Sequence, residues 1–302
     1  MWTNTKTPQS LGNGPGDFDD GDDEALSPDD VAFIQRFLLE RSGNTISLEQ
    51  GYLVESRLAP VAEKYRVASV SELITELREP PPQLAVDVVD ALTATNTSFI
   101  LQDTDLCEAI VDALQEAVDA LDEQRPLVIW SAACSTGQEA FSLAILLNER
   151  FPELVGSGQV KVLATDLSPT TIKRCSAARY SRFEINRGIP PTERETYFQA
   201  VDRVWLAEAS IRRLVKVKVL NLMGPWPGIP RCDMVVMRNV LPSLAPRVGL
   251  QVAQKVGQTV LRSRGVFVVG EDDSQLMKNA GYERYEQERG PCYRLSRGPH
   301  ND

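Results

Sequence analysis

The residues best placed to do chemistry lie between Ile129 and Ala144, in the run IWSAACSTGQEAFSLA, where an apolar stretch stops in a loop of small residues and restarts as a helix. Leu127 to Trp130 read as a short buried strand. Ala132 to Gly137 carry no bulky side chain, and Phe141, Leu143, Ala144, Leu146 and Leu147 mark the apolar face of a helix. A loop of this kind lets backbone N–H groups contact a nucleotide-like ligand, in the crevice at the carboxyl ends of the strands. An ordinary βα turn meets the same description. With a single glycine the loop lacks the dinucleotide fingerprint G-x-G-x-x-G, which argues against a nicotinamide-dependent enzyme.

Asp166 closes the next apolar run, VKVLATD, 29 positions beyond Gly137. In doubly wound folds a carboxylate here accepts hydrogen bonds from the ribose hydroxyls of a bound nucleoside, and the cap of the following helix calls for the same residue type. Arg238 and Asn239 close the run CDMVVM, and Asn221 follows VKVL. Each could be a solvated turn; together, polar groups at the carboxyl ends of separate strands argue for one site more strongly than any of them alone.

Other chemistries lose their reagents. The one histidine is His300, in the terminal RGPHND, so Ser-His-Asp triads, Cys-His dyads and histidine-ligated metals lack their central residue. Cys107, Cys134, Cys175, Cys232 and Cys292 are odd in number, widely spaced and form no C-x-x-C pair, which speaks for reduced packing residues and against a zinc site or a disulfide framework. What remains is chemistry in which a cofactor carries the reactivity and the protein supplies position and electrostatics.

These residues must be positioned by a chain of 302 residues with 42% hydrophobic content, enough for one large or two modest domains. Net charge is −10, and residues 1–27 supply −5 of it, from Asp17, Asp19, Asp20, Asp22, Asp23 and Glu24 against Lys6. Such a Gly- and Pro-interleaved acidic segment is expected to be a disordered tail. The mildly acidic remainder argues against a broad nucleic-acid surface. No apolar run is long enough to span a bilayer and no secretory signal opens the chain, so a cytoplasmic protein without membrane insertion is expected.

From Ser27-Pro28-Asp29-Asp30, a cap followed by a helix start, the pattern predicts a small helical domain over 28–95. Helices are expected to Gly43, over 47–66 with Pro60 as an interruption, over 69–78 and over 83–93. Alternating helices and strands fill 96–297, with strands at 127–130, 160–164, 215–220, 234–237 and 266–269 and a helix around 246–262. This predicts an α/β domain with a mainly parallel, doubly wound sheet covered on both faces. Between 179 and 214 the pattern weakens, and Val201 to Leu206 reads as one strand of a small appended β subdomain. Residues 298–302 are expected to fray.

Taken in order, these segments resemble the CheR-type chemotaxis receptor methyltransferases. IWSAACSTGQEAFSLA is similar to the family's IWSAGCSTGEEPYSLA, VLATDLSPTTIKRCSAARY to its ILATDIS segment through GxY, LNL at 220–222 to its xNLL, and CDMVVMRNVL to its FDxIFCRNVL. LVESRLAP looks like KxxLVxxRLxxR, and TATNTSFILQ at 93–102 aligns on TTNETxFFRD. The resemblance implies a Rossmann-like domain that binds S-adenosylmethionine and transfers its methyl group to glutamate side chains of a chemoreceptor cytoplasmic domain, acting as a monomer. It places Thr95, Thr97, Ala133, Glu139, Asp166, Asn221, Leu222, Arg238 and Asn239 at cofactor-binding positions, Glu139 toward the cationic end and Asp166 toward the ribose.

The departures from that pattern cluster. The family arginine of NETxFFR is Leu101 here, its asparagine is Thr95 and its glutamate Asn96; the tyrosine of IYF is Ser243, and GHSE becomes GEDDS at 270–274. The catalytic grip on the acceptor is thereby left unassigned, which implies reduced activity or, as the alternative, a cofactor-binding scaffold that docks on a receptor or signalling protein. The short segment Ala200 to Arg203 leaves no room for the enlarged loop with which some relatives tether to a receptor peptide. Arg36, Arg41, Arg57, Lys64 and Arg66 offer a basic face to an acidic receptor helix, or a solvated surface.

Overall fold

The computed structural model describes residues 26–94, 99–121, 125–285 and 290–296. Residues 1–25 of the acidic tail, the 298–302 end, Thr95, Asn96 and Thr97 lie outside them. Helix α1 (Pro28–Ser42) starts where the sequence asks, with the Ser27 hydroxyl accepting from the Asp30 N–H at 3.1 Å, and ends at Gly43 in the left-handed region. It packs with α2 (Gly51–Tyr65), α3 (Val70–Glu76) and α4 (Pro82–Thr93) around Ile34, Leu58, Leu73, Leu84 and Val88. Pro60 does not interrupt α2. The ring is exposed while Leu58, Val61 and Ala62 are buried beside it, so apolar burial holds the helix across the lost hydrogen bond.

The second unit begins with α5 (Thr104–Asp119) and β1 (Leu127–Ala132), followed by α6 (Gln138–Arg150), α7 (Pro152–Gly156), β2 (Val160–Asp166) and α8 (Pro169–Ala177). Strand β3 (Arg179–Ser181), helices α9 (Arg182–Asn186) and α10 (Pro191–Tyr197), β4 (Phe198–Val201), β5 (Val204–Ala207) and α11 (Ala209–Arg212) form the inserted part. The chain then returns through β6 (Val215–Val219), β7 (Cys232–Val236), α12 (Pro246–Lys255), β8 (Leu261–Val268), α13 (Ser274–Asn279), β9 (Tyr282–Arg284) and β10 (Cys292–Leu295). Among the described residues the main sheet has seven strands in the order β6-β2-β1-β7-β8-β10-β9, parallel except where β10 runs against both neighbours. Leu127 and Ile129 face one core and Val128 and Trp130 the other, which is why β1 reads as an unbroken apolar run.

Three expectations need correction. Val201 to Leu206 is not one strand, because Asp202 takes φ +53° and turns the chain between β4 and β5. These two strands and β3 make a small antiparallel sheet in the order β3-β5-β4. Helix α12 stops at Lys255 and a π turn over Val256–Val260 leads into β8, five residues ahead of the expected start at Val266. Strands β9 and β10 were not expected at all. All five cysteines are buried, none in a disulfide.

Candidate cofactor site

Strand β1 pairs in parallel with β2 on one side and β7 on the other, so the winding of the sheet reverses at β1 and a crevice opens over its carboxyl end. The loop that follows it alternates in conformation: Ala133 has φ +54°, Ser135 φ +50° and Gly137 φ +95°. Only the last is a glycine. At Gly137 a Cβ would sit 2.5 Å from Cys175 Sγ, so close packing of the loop on α8 excludes any side chain there. Ala133, by contrast, keeps its methyl group in an unfavoured backbone region and lines the crevice.

Asp166 at the end of β2 fixes this loop. Its Oδ2 accepts the Ser135 N–H at 2.9 Å and its Oδ1 the Ser168 N–H at 3.0 Å, while the Cys134 N–H donates to Thr165 O at 2.8 Å. Burial pushes the Asp166 carboxyl above its ordinary range, partly offset by those backbone N–H groups. Glu139, in the first turn of α6, lies behind the loop and is not part of the crevice lining; its Oε1 accepts from the Ser131 hydroxyl at 2.8 Å. Burial raises its carboxyl too, and the Arg238 charge and the Ser131 hydroxyl pull it back.

Across the crevice, Arg238 and Asn239 follow β7, Asn239 with φ +59° and Arg238 with a buried Nε that finds no protein partner among the described residues. Asn221, after β6, is occupied at both ends: its Nδ2 donates to Arg41 O at 2.7 Å and its Oδ1 accepts the Met223 N–H at 2.9 Å. It therefore ties the helical unit to the sheet. The same seam holds an antiparallel bridge, Thr45 N–H to Ser243 O at 3.0 Å and Ala245 N–H to Gly43 O at 2.8 Å. Gly43 is required there, since a Cβ would lie 2.8 Å from Val248 and 2.9 Å from Met223.

The result is a cleft of about 440 Å³. From the sheet come Ala133, Asp166, Asn221, Leu222, Arg238 and Asn239; from the helical unit come Ser42, Asn44, Arg57, Thr93 and Ala94. Six of the nine expected cofactor positions thus meet in one cavity. Glu139 stands beside it, and Thr95 and Thr97 lie outside the described residues, directly after the cleft-lining Ala94. Sequence reading missed the helical wall as part of the site: Asn44 carries no motif, and Arg57, read there as surface charge, donates from Nη1 to Leu92 O at 2.6 Å inside the cleft. Ser243 lines the cleft with its hydroxyl donating to Val240 O at 2.7 Å, whereas Leu101 packs against the core and contributes nothing to the lining.

These residues fit S-adenosylmethionine. Two carboxyls raised by desolvation, the half-buried Asp166 and the buried Glu139, favour a ligand that brings cationic and hydroxyl donors, and the buried Arg238 Nε is a donor without an acceptor among the described residues. Leu222 and Leu167 supply apolar wall for a flat ring. Asp166 retains lone pairs beyond the two backbone contacts, enough for a pair of hydroxyls.

Comparison with known proteins agrees with this geometry. Residues 29–93 match the model of the all-alpha domain of CheR methyltransferase, and residues 96–290 match that of its SAM-binding domain. A chemotaxis protein methyltransferase of Vibrio parahaemolyticus is 31% identical over 89% of this chain and 98% of its own. Chemotaxis protein methyltransferase 1 of Pseudomonas aeruginosa is 31% identical over 88% of this chain and 97% of its own, and that of Vibrio cholerae 30% over 86% and 94%.

Proposed function

The chain belongs to the CheR methyltransferase family, and from that premise we propose that it methylates glutamate side chains of a chemoreceptor cytoplasmic domain, at a reduced rate and as a monomer. It is an S-adenosylmethionine-dependent methyltransferase of chemotaxis, and no helix among the described residues is long and apolar enough to cross a membrane.

The observation that carries the finer reading is the make-up of the cleft. It holds charged and polar groups for a cofactor but no histidine, cysteine or lysine among its described lining residues that would serve as base or nucleophile. A glutamate acceptor needs neither, because a carboxylate of ordinary pKa, about 4.3, is already ionised at neutral pH. S-adenosylmethionine, when bound, would supply a methyl group on a sulfonium, whose carbon can bond to a carboxylate oxygen as the S–C bond breaks and the neutral thioether leaves. The protein's part is placement and exclusion of water. Asp166 would hold the ribose, and Glu139 would stabilise the cationic end from behind the loop. Arg238, Asn239, Asn221 and Leu222 would form the opposite wall, and the family pattern adds Thr95 and Thr97 to the set.

The acceptor side is where the chain is weak. Ser243 stands where the family motif has tyrosine and turns its hydroxyl back to Val240 O, and Leu101, in place of arginine, faces the core. Neither can grip a carboxylate, which supports slow turnover. The β4–β5 connection is a two-residue turn, Asp202-Arg203, between paired Val201 and Val204. That supports recognition without a peptide tether. The deciding experiment is transfer of labelled methyl groups from S-adenosylmethionine to chemoreceptor cytoplasmic fragments. Base-labile labelled esters on glutamates are expected; cofactor binding without any ester on a full receptor panel would refute the proposal.

A further inference from the structure

A second cavity, of about 810 Å³, lies at the opposite end of the sheet. The cofactor cleft sits over the carboxyl ends of β1, β2 and β7, whereas this groove is built from the residues that enter the strands. Arg125 precedes β1, Arg231 immediately precedes β7, and Arg262 and Arg264 open β8. The C-terminal turn of α5, with Glu116 and Asp119, forms the other wall.

The arginines are presented by a break in the ladder. Cys232 pairs with Leu261 and Met234 with Val266, so β8 advances five residues while β7 advances two. Arg262, Ser263, Arg264 and Gly265 are looped out of register, and bulges of this kind re-aim side chains beside functional sites. Gly265 is needed for it: a Cβ there would lie 2.8 Å from Leu261 Cδ1 and 3.1 Å from Arg262 O.

The charges do not cancel. Asp233, its side chain only 4% exposed, is held by Arg125 Nη1 at 2.9 Å, by the Val128 N–H at 2.9 Å and by Arg262 Nε at 3.4 Å. Glu116 accepts from the Tyr285 hydroxyl at 2.5 Å and from Arg294 Nη2 at 2.7 Å. Two arginines thus share one buried acid, and Glu116 takes both of its hydrogen bonds from outside the groove. Arg231 is tied to Leu261 O at 3.0 Å and the Arg264 charge acts on Glu116, so Arg125, Arg231, Arg262 and Arg264 stand against Glu116, Asp119 and Asp233 in the lining, one positive charge in excess. In a chain of net charge −10, this is a local positive excess on a rigid frame.

We propose that this groove is a ligand site for an anion of the phosphate class, bound by the Arg231, Arg262 and Arg264 guanidinium groups with the Ser263 hydroxyl beside them. Fixed guanidinium forks match phosphate oxygens in pairs, and the groove has the size of a small-molecule pocket. The site stands independently of the acceptor proposed for the cleft.

The test is calorimetry of the full chain with pyrophosphate at low salt, alone and saturated with S-adenosylhomocysteine. Saturable binding is expected in both states, weaker at high salt. The Arg231→Ala/Arg264→Ala pair should weaken it by about tenfold or more, as for lost hydrogen bonds to a charged group. Ser263→Glu, which touches no ion pair, should abolish it and serves if the arginine variants fold poorly. No saturable binding at millimolar pyrophosphate, or unchanged binding by Ser263→Glu, overturns the proposal and leaves the arginines as a staple for the strand ends.

Discussion

Ala133→Gly should stabilise the protein. Ala133 has φ +54°, a left-handed conformation that costs an L-residue about 1–2 kcal/mol. Glycine removes that strain but carries an unfolded-state entropy cost of about 0.5–1 kcal/mol, leaving a net gain of about 0.5–1 kcal/mol. For a chain of this size the melting temperature should rise by about 1–4 °C. The mirror change, Gly137→Ala, meets φ +95° and Cys175 Sγ at 2.5 Å from the new Cβ, and should destabilise by more than about 2 kcal/mol. Differential scanning calorimetry without ligand reads both. Calorimetric titration with S-adenosylhomocysteine then separates stability from function: Ala133 lines the cleft, so removing its methyl should leave affinity equal or higher. A lower melting temperature for Ala133→Gly would refute the assignment of strain to this position, and a loss of affinity would show that the methyl group is a ligand contact.

Asp166→Asn should weaken S-adenosylhomocysteine binding by about 1.5–3 kcal/mol, measured by calorimetry. Because burial raises the folded Asp166 carboxyl above its unfolded value, the native state binds the extra proton. Wild-type stability relative to Asp166→Asn should therefore fall as pH rises from the ordinary carboxylate range through the folded value; chemical denaturation across pH would contradict this if the difference grew. Asn221→Asp keeps the acceptor for the Met223 N–H but loses the donor to Arg41 O, so amide exchange at Thr45 and Ala245 should speed up in the ligand-free protein. A purely ligand-binding Asn221 would leave that exchange unchanged. Leu101→Arg with Ser243→Tyr should raise the methylation rate about tenfold if the restored contacts together supply ~1.4 kcal/mol in the transition state; equal rates would mean that other residues already orient the acceptor.

What could be read from the sequence follows the range of the interactions involved. The cap at Ser27, the strand of Leu127 to Trp130 and the small-residue loop are set by neighbours in the chain, and they stand where the pattern puts them. Pro60 misled because local propensity favours a break while the burial of Leu58 and Val61 against other helices favours continuity. Strands β9 and β10 are short, and β10 gains its place only between β8 and β9, so no periodicity announces them. Asp202 turns the β4–β5 hairpin with a residue that tolerates the left-handed region, a signal hidden inside an otherwise strand-like run.

The site divides along the same line. Asp166, Arg238 and Asn239 are legible because each stands at or just beyond the end of a strand, and in a parallel sheet strand ends converge. The sequence could not say that the Asp166 carboxylate also braces the loop through the Ser135 N–H, or that Asn221 bonds across to Arg41, 180 positions earlier. Both contacts join parts of the chain that meet only in the fold, and both give a residue read as a ligand a second, positioning role. On the proposed cofactor assignment, affinity and the seating of the helical unit should be coupled through the walls of one cleft, and substitutions at Asn221 should perturb the domain seam even where no ligand is bound.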